Sequence, residues 1–69
     1  MIEPTEKQQE ILDFIKQNVE AKGFPPSLRE IATRFNVQST AGMRGQLLAL
    51  QKKGKIEIMP NTARGIKIL

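Results

Sequence analysis

The chain has 69 residues, a net charge of +4, no cysteine, no histidine and three aromatic residues, all phenylalanine. This length predicts one small domain, and the composition excludes disulfides, thiolate metal sites and histidine-based catalysis. No apolar run approaches the roughly 20 residues of a membrane span, and the polar start is unlike a signal peptide. We therefore expect a cytoplasmic protein with no membrane partner, no cofactor and no bound metal.

The charge is unevenly distributed along the chain. Residues 1–30 carry four basic and six acidic side chains, a net charge of −2, whereas residues 31–69 carry seven basic and one acidic, a net charge of +6. A basic half joined to a mildly acidic half suggests that one face binds a polyanion. Ordinary solvated lysines are the alternative interpretation of the charge alone.

Thr5 begins the first predicted helix, which extends over about residues 6–21. Thr5 and Gln8 have the spacing of a capping box, in which each side chain binds a free backbone N–H of the first turn. Gly23 ends the helix because glycine readily adopts a left-handed conformation. One face is apolar at helical spacing and is expected in the core, through Ile11, Leu12, Phe14, Ile15 and Val19.

Two prolines separate this helix from a second one, predicted over about residues 28–35. Proline biases the preceding residue toward an extended backbone, so the first helix cannot continue, and we expect Phe24 in the core. Ser27 and Glu30 have the spacing of a second capping box. The side chains expected to face inward are those of Leu28, Ile31, Ala32 and Phe35.

A short turn centred on Val37 leads to a third helix, predicted over about residues 40–53. Asn36 tolerates the left-handed conformation that ends the second helix, and Ser39 or Thr40 caps the third. Two helices joined by such a turn are typical of a helix-turn-helix. The buried stripe of the third helix is expected at Met43, Leu47 and Leu50.

The last residues, about 55–69, predict two short strands in which polar and apolar residues alternate. Pro60 and Asn61 favour a turn between the strands. An isolated hairpin is marginal in water, so this one has to pack against the helices. The fold class is therefore mainly α with a small β-hairpin: a three-helix winged helix-turn-helix, as a single domain over residues 1–69.

No catalytic set can be assembled from these residues, and we expect no enzyme activity. A nucleophile would need lysine or a carboxylate as its base, and Ser27 and Ser39 are better explained as helix caps. Three carboxylates on the first helix, Glu6, Glu10 and Asp13, are expected to form a solvated face rather than a cation site.

A helix-turn-helix reads DNA with the N-terminal part of its second helix in the major groove. Arg44 matches the guanine O6 and N7 acceptors, and Ala41 or Leu48 can contact a thymine methyl. The residues expected to read bases are Ser39, Thr40, Ala41, Arg44, Gly45 and Leu48. The side chains expected on the phosphate backbone are Lys52, Lys53, Lys55, Arg64 and Lys67.

Two glycines near the start of the third helix have two interpretations. Gly42 and Gly45 each cost about 1 kcal/mol relative to alanine within a helix. Either this part of the helix frays in the free protein or another backbone approaches it closely. The role of Leu48 has two interpretations as well. The core stripe does not require this residue, so it can contact either DNA or a protein.

Several short motifs lie in order over nearly the whole chain: Thr5, Gln8-Gln9-Glu10, Gly23, Pro25-Pro26, Glu30-Ile31-Ala32, Ser39, Leu47, the run ALQKKG at 49–54, Ile56-Glu57-Ile58 and Arg64-Gly65-Ile66. In these motifs the chain resembles the N-terminal DNA-binding domain of the bacterial LexA repressor family. The resemblance implies a bacterial or phage-like, nucleoid-associated protein whose partner is double-stranded DNA. It also implies repression of DNA-damage response (SOS) genes by a homodimer on a palindromic operator.

Two differences from the family bear on function. The 69 residues do not include the family's C-terminal domain, which supplies dimerisation and a serine–lysine self-cleavage dyad. We expect either an excised domain or a short stand-alone relative, with homodimerisation that is weak or depends on a missing domain. In the third helix, relatives of the enterobacterial type carry asparagine in place of Ala41 and acidic residues in place of Arg44 and Gly45, so we expect a different operator.

These observations leave two hypotheses. The first is sequence-specific binding of double-stranded DNA by a LexA-like repressor domain. The alternative is a winged-helix protein-interaction module that modulates a repressor and docks through Gly42, Gly45 and Leu48. Substitution of Arg44 distinguishes them, because only the first hypothesis needs it for selectivity.

Overall fold

The computed structural model describes residues 3–59, 62 and 64–69. Three helices precede an antiparallel hairpin in the order α1 (Glu6–Lys22), α2 (Leu28–Arg34), α3 (Thr40–Lys52), β1 (Ile56–Ile58) and β2 (Ile66–Ile68). The predicted winged helix-turn-helix is confirmed, and each helix begins and ends within one residue of its predicted position. No helix in the described part of the chain is long and apolar enough to cross a membrane.

Local sequence sets the ends of the helices. The Thr5 hydroxyl accepts from the Gln8 N–H at 3.2 Å, and the Gln8 side chain accepts from the Thr5 N–H at 3.1 Å. Ser27 and Glu30 form the same reciprocal pair at the start of α2, at 3.1 and 2.8 Å. Both predicted capping boxes are therefore confirmed. Asn36 has the predicted left-handed backbone, with φ of 57°, and redirects the chain between α2 and α3.

The core lies where the three helices meet the inner face of the hairpin. In the hairpin, Ile56 pairs with Ile68 and Ile58 with Ile66, so all four isoleucines point to the same face. The buried apolar residues are Ile11, Leu12, Ile15, Ile31, Ala32, Met43, Leu47, Leu50, Ile56 and Ile66. The hairpin thus completes the core, and the α3 stripe is buried as predicted.

Two residues expected in the core lie at its edge, and both predictions are wrong. Phe24 is 44% exposed, because the neighbouring Pro26 is the residue of this segment that is fully buried. Val19 is 36% exposed, since it lies near the end of α1 on a shallow groove shared with Phe24 and Met59. The predicted turn residues Pro60 and Asn61 lie outside the described residues.

Candidate nucleic-acid interface

The solvent-facing side of α3 carries the candidate base-reading residues. With 3.6 residues per turn, Ala41, Gly45, Leu48 and Lys52 fall within about 60° of one another around the helix axis. All four are exposed, and Leu48 retains 45% of its accessible surface. The structure therefore gathers these side chains on one face, opposite the buried stripe, and leaves the face open to a partner.

Ser39 and Thr40 lie at the N-terminus of this face, and both are exposed. Ser39 is the N-cap of α3, and its hydroxyl accepts from the Gly42 N–H at 3.4 Å. The cap satisfies one of the free N–H groups of the first turn. The others point out of the helix end, where its partial positive charge favours an anion such as a phosphate.

Arg44 lies on the side of the α3 face that is nearer to the β-hairpin. Gln51, seven residues further along the same side of the helix, accepts a hydrogen bond from the β1 backbone N–H of Ile58 at 2.6 Å. Arg44 itself is exposed, and its guanidinium has no hydrogen bond or ion pair with residues 3–59, 62 or 64–69. Its five donors are therefore available to an external acceptor.

Gly42 and Gly45 both lie inside the continuous helix α3. A methyl group added at Gly45 would meet nothing within 4 Å, and one added at Gly42 would meet only Val37 Cγ1 at 3.7 Å. No backbone of the described chain therefore requires glycine at either position. The smooth surface they leave is open to a partner outside the chain.

The five basic residues expected on phosphates fall into two groups. Lys52 and Lys67 are exposed and Lys55 is half-buried, and none of the three side-chain ammonium groups has a hydrogen bond or ion pair with the described residues. Lys67 lies opposite Glu57 in the hairpin register, on the outer face of the hairpin. Because Glu57 offsets part of its charge, Lys67 should attract phosphate less strongly than Lys52 or Lys55 does.

Lys53 points away from the α3 face toward the start of α1. Its Nζ donates to the Gln8 side-chain oxygen at 2.5 Å and to the Glu3 carbonyl oxygen at 3.2 Å. The Gln8 amide donates in turn to the Gln46 side chain of α3 at 3.1 Å. Gln8 is buried and joins α1 to α3, a role that sequence reasoning missed because its partners lie 38 and 45 residues away.

Arg64 is bound within the protein. Its guanidinium donates to both carboxylate oxygens of Glu30, at 2.6 and 3.1 Å, and to the Pro25 carbonyl oxygen at 3.1 Å. Hydrogen bonds from Arg64 and from the Ser27 backbone N–H lower the pKa of the Glu30 carboxyl to about 2. Glu30 in turn raises the pKa of Arg64. Arg64 and Glu30 lie 34 residues apart in the chain, so no local sequence pattern indicates that they meet.

Carboxylates of α1 do not assemble a metal site. The Asp13 carboxylate accepts from the Gln9 side chain at 2.9 Å, within its own helix. In the part of the chain that the structure describes, no group of three acidic, histidine or cysteine side chains is placed to hold a metal ion.

Comparison with known proteins identifies the family. The family model of the LexA DNA binding domain matches residues 1–65. The chain belongs to the LexA DNA-binding domain family. The motifs that resemble this family in the sequence therefore belong to a shared fold, with α2 and α3 as its helix-turn-helix.

Two curated proteins similar to the chain are LexA repressors. The chain is 51% identical to the LexA repressor of Methylococcus capsulatus over 65 residues, which cover 94% of the chain and 32% of the relative. It is 52% identical to the LexA repressor of Shewanella loihica over 64 residues, which cover 93% of the chain and 31% of the relative. The chain thus spans about a third of the length of the curated relatives it matches.

Proposed function

We propose that this domain binds double-stranded DNA sequence-specifically and represses transcription, with α3 in the major groove and the wing against the phosphate backbone. The wing is β1, β2 and the turn between them. The observation that carries the proposal is the exposed α3 face, which ends in a free helix N-terminus and carries an arginine whose side chain has no partner among the described residues. The LexA repressors of Methylococcus and Shewanella support the repressor role by their likeness to the chain.

Arg44 is the proposed reader of a guanine. A guanidinium donates two parallel hydrogen bonds to guanine O6 and N7, the commonest specific contact in the major groove. The Arg44 guanidinium forms no hydrogen bond or ion pair among the described residues, so binding a base breaks no such contact within the domain. Loss of this pair should cost about 1–3 kcal/mol on the preferred site.

Apart from Ser39 and Thr40 at its N-terminus, the rest of the reading face is small or apolar. Ala41 and Gly45 carry no polar group, so they contribute close approach and contact with a thymine methyl rather than hydrogen bonds. Leu48, at the centre of the face, adds an apolar contact of the same kind. Discrimination should therefore be concentrated at the base pair read by Arg44.

Three lysines are the proposed phosphate ligands: Lys52 at the end of α3, Lys55 at the start of the wing and Lys67 in β2. Each neutralised phosphate steepens the fall of log affinity with log salt by about 0.9. Three such contacts predict a slope near −2.7 from these lysines, to which any phosphate at the α3 N-terminus adds.

Selection from random duplex DNA tests the proposal. The wild-type domain should enrich a recurring motif, and Arg44→Ala should remove preference at one position while Lys16→Ala, which removes the same charge from exposed α1, keeps the motif. A palindromic motif would indicate two copies binding side by side. Enrichment of no motif by the wild type would refute sequence-specific reading.

A second candidate function, docking to a protein, is favoured by the 45% exposure of Leu48. Leu48→Asp separates the two functions. It should abolish a protein complex if the α3 face docks to a protein. If the face reads DNA, the same variant should weaken DNA binding, and Arg44→Ala should do so too.

A further inference from the structure

We propose that Arg64 is a positioning residue that clamps the wing to α2, and that it does not contact phosphate. The proposal rests on the proposed DNA-binding function, because the clamp matters for affinity only if the wing contacts DNA. It reverses the expectation from the sequence, in which a basic wing residue serves the backbone.

Three of the five N–H donors of the Arg64 guanidinium bind one region of the protein. Nη1 donates to Glu30 and to the Pro25 carbonyl oxygen, and Nη2 donates to the second Glu30 oxygen. The guanidinium also lies over the Phe24 ring, 4.9 Å from its centroid. Phe24 therefore has a packing partner at the rim of the core, although 44% of its surface stays exposed. A bidentate carboxylate pair and a ring face are the partners for which arginine is better suited than lysine.

The wing backbone next to Arg64 is held by packing and hydrogen bonds. The contacts of Arg64 with α2 therefore fix the position of the wing. The next residue, Gly65, is buried, and its carbonyl oxygen accepts from the Met59 N–H at 2.7 Å across the hairpin. Ile66 then enters the core. On the other strand, Gln51 holds Ile58 to α3 at 2.6 Å. The wing is thus attached to α2 through β2 and to α3 through β1.

Glu30 is a poor partner to displace. Its carboxylate also accepts from the Ser27 N–H at 2.8 Å, which holds the side chain in the α2 capping box. A phosphate that took Arg64 would leave this carboxylate charged and close to the DNA backbone, where like charges repel. The free energy is therefore lower when Arg64 keeps the carboxylate as its partner than when a phosphate replaces it.

Removing the Glu30 charge gives opposite results for a clamp and for a phosphate ligand. Glu30→Gln keeps the capping box, since glutamine also accepts the Ser27 N–H, but loses the charged partner of Arg64. Glu20→Gln removes the same charge from exposed α1 and is the control. For a clamp, Glu30→Gln should bind the selected DNA about fivefold to tenfold more weakly than Glu20→Gln, near the smaller losses seen for a single contact.

Arg64→Lys provides a second, charge-conserving variant. A lysine ammonium lacks the planar fork that donates two parallel hydrogen bonds to a carboxylate, so Arg64→Lys should lose about as much affinity as Glu30→Gln. A phosphate ligand would instead keep most of its affinity as lysine. Thermal melts of every variant are the control that establishes folding at the temperature of the binding assay.

Amide hydrogen exchange tests the clamp without DNA. Exchange of the Met59 N–H should be several-fold faster in Glu30→Gln than in Glu20→Gln. Equal exchange in the two variants, or tighter DNA binding by Glu30→Gln, would overturn the proposal. If the wild type binds no duplex DNA, the proposed function fails, and the exchange result alone decides whether the clamp exists.

Discussion

Replacing Gly65 with alanine should destabilise the domain, because the hairpin has no room for a side chain there. A Cβ at this position would lie 2.6 Å from Thr62 Oγ1 and well inside van der Waals contact of the Met59 carbonyl oxygen. The backbone oxygen cannot rotate away as a side chain can. The strands must therefore separate, and the 2.7 Å bond from the Met59 N–H to the Gly65 carbonyl oxygen weakens with them.

The expected cost combines two effects. Overpacking costs about 1–3 kcal/mol, and a weakened hydrogen bond adds up to about 1 kcal/mol. A loss of about 2 kcal/mol lowers the melting temperature of a domain this size by roughly 8–16 °C. Total stability is expected at roughly 3–10 kcal/mol, so Gly65→Ala removes a large part of it.

Thermal denaturation followed by helical circular dichroism measures the effect, with Gly45→Ala as the matched control. Gly45 has an ordinary helical backbone and open space around its missing Cβ, so alanine there should stabilise α3 by about 1 kcal/mol. Opposite shifts of the melting temperature are the expected result. An unchanged melting temperature in Gly65→Ala, or equal losses in both variants, would refute the steric argument.

Three further predictions follow from named contacts. The low pKa of Glu30, about 2 in the folded domain, means that the unfolded chain takes up this proton first as pH falls. The ionised Glu30 carboxylate therefore stabilises the folded domain fully above about pH 4.5, and this stabilisation is lost toward pH 2. Glu30→Gln should flatten this part of the curve of unfolding free energy against pH. Asn36→Ala should cost about 1 kcal/mol in denaturant titrations, because its φ of 57° disfavours a Cβ without a polar side chain. Glu57→Gln should tighten DNA binding, since it relieves the partial neutralisation of Lys67.

Each of these three predictions can be contradicted or controlled by a specific measurement. Equal acid sensitivity of the wild type and Glu30→Gln would show that the pair with Arg64 adds nothing, and high salt should reduce the difference because both side chains are more than 40% exposed. Asn36→Gly is the control for backbone strain and should be as stable as the wild type or more so. If Glu57→Gln binds DNA no better than the wild type, the outer face of the wing does not approach the phosphates.

Local features of the sequence determined the secondary structure and much of the core. Each capping box joins residues three apart, so Thr5 with Gln8 and Ser27 with Glu30 could be recognised without knowledge of the fold. The apolar period of α3 likewise identified its buried stripe and, by difference, the exposed face with Arg44 and Leu48. The resemblance to the LexA family, carried by short motifs, rests on the same local information.

Only the tertiary structure decided which basic residues are free. Arg64 and Glu30 lie 34 residues apart, and Lys53 and Gln8 lie 45 apart, so nothing in their sequence neighbourhoods indicates a partner. Phe24 was misplaced for the same reason: Pro26 fills the core in its place, and the Phe24 ring packs against Arg64, 40 residues along the chain. Composition sets the number of charges, but long-range packing determines which of them remain available to a polyanion, because each internal contact uses donors that DNA would need.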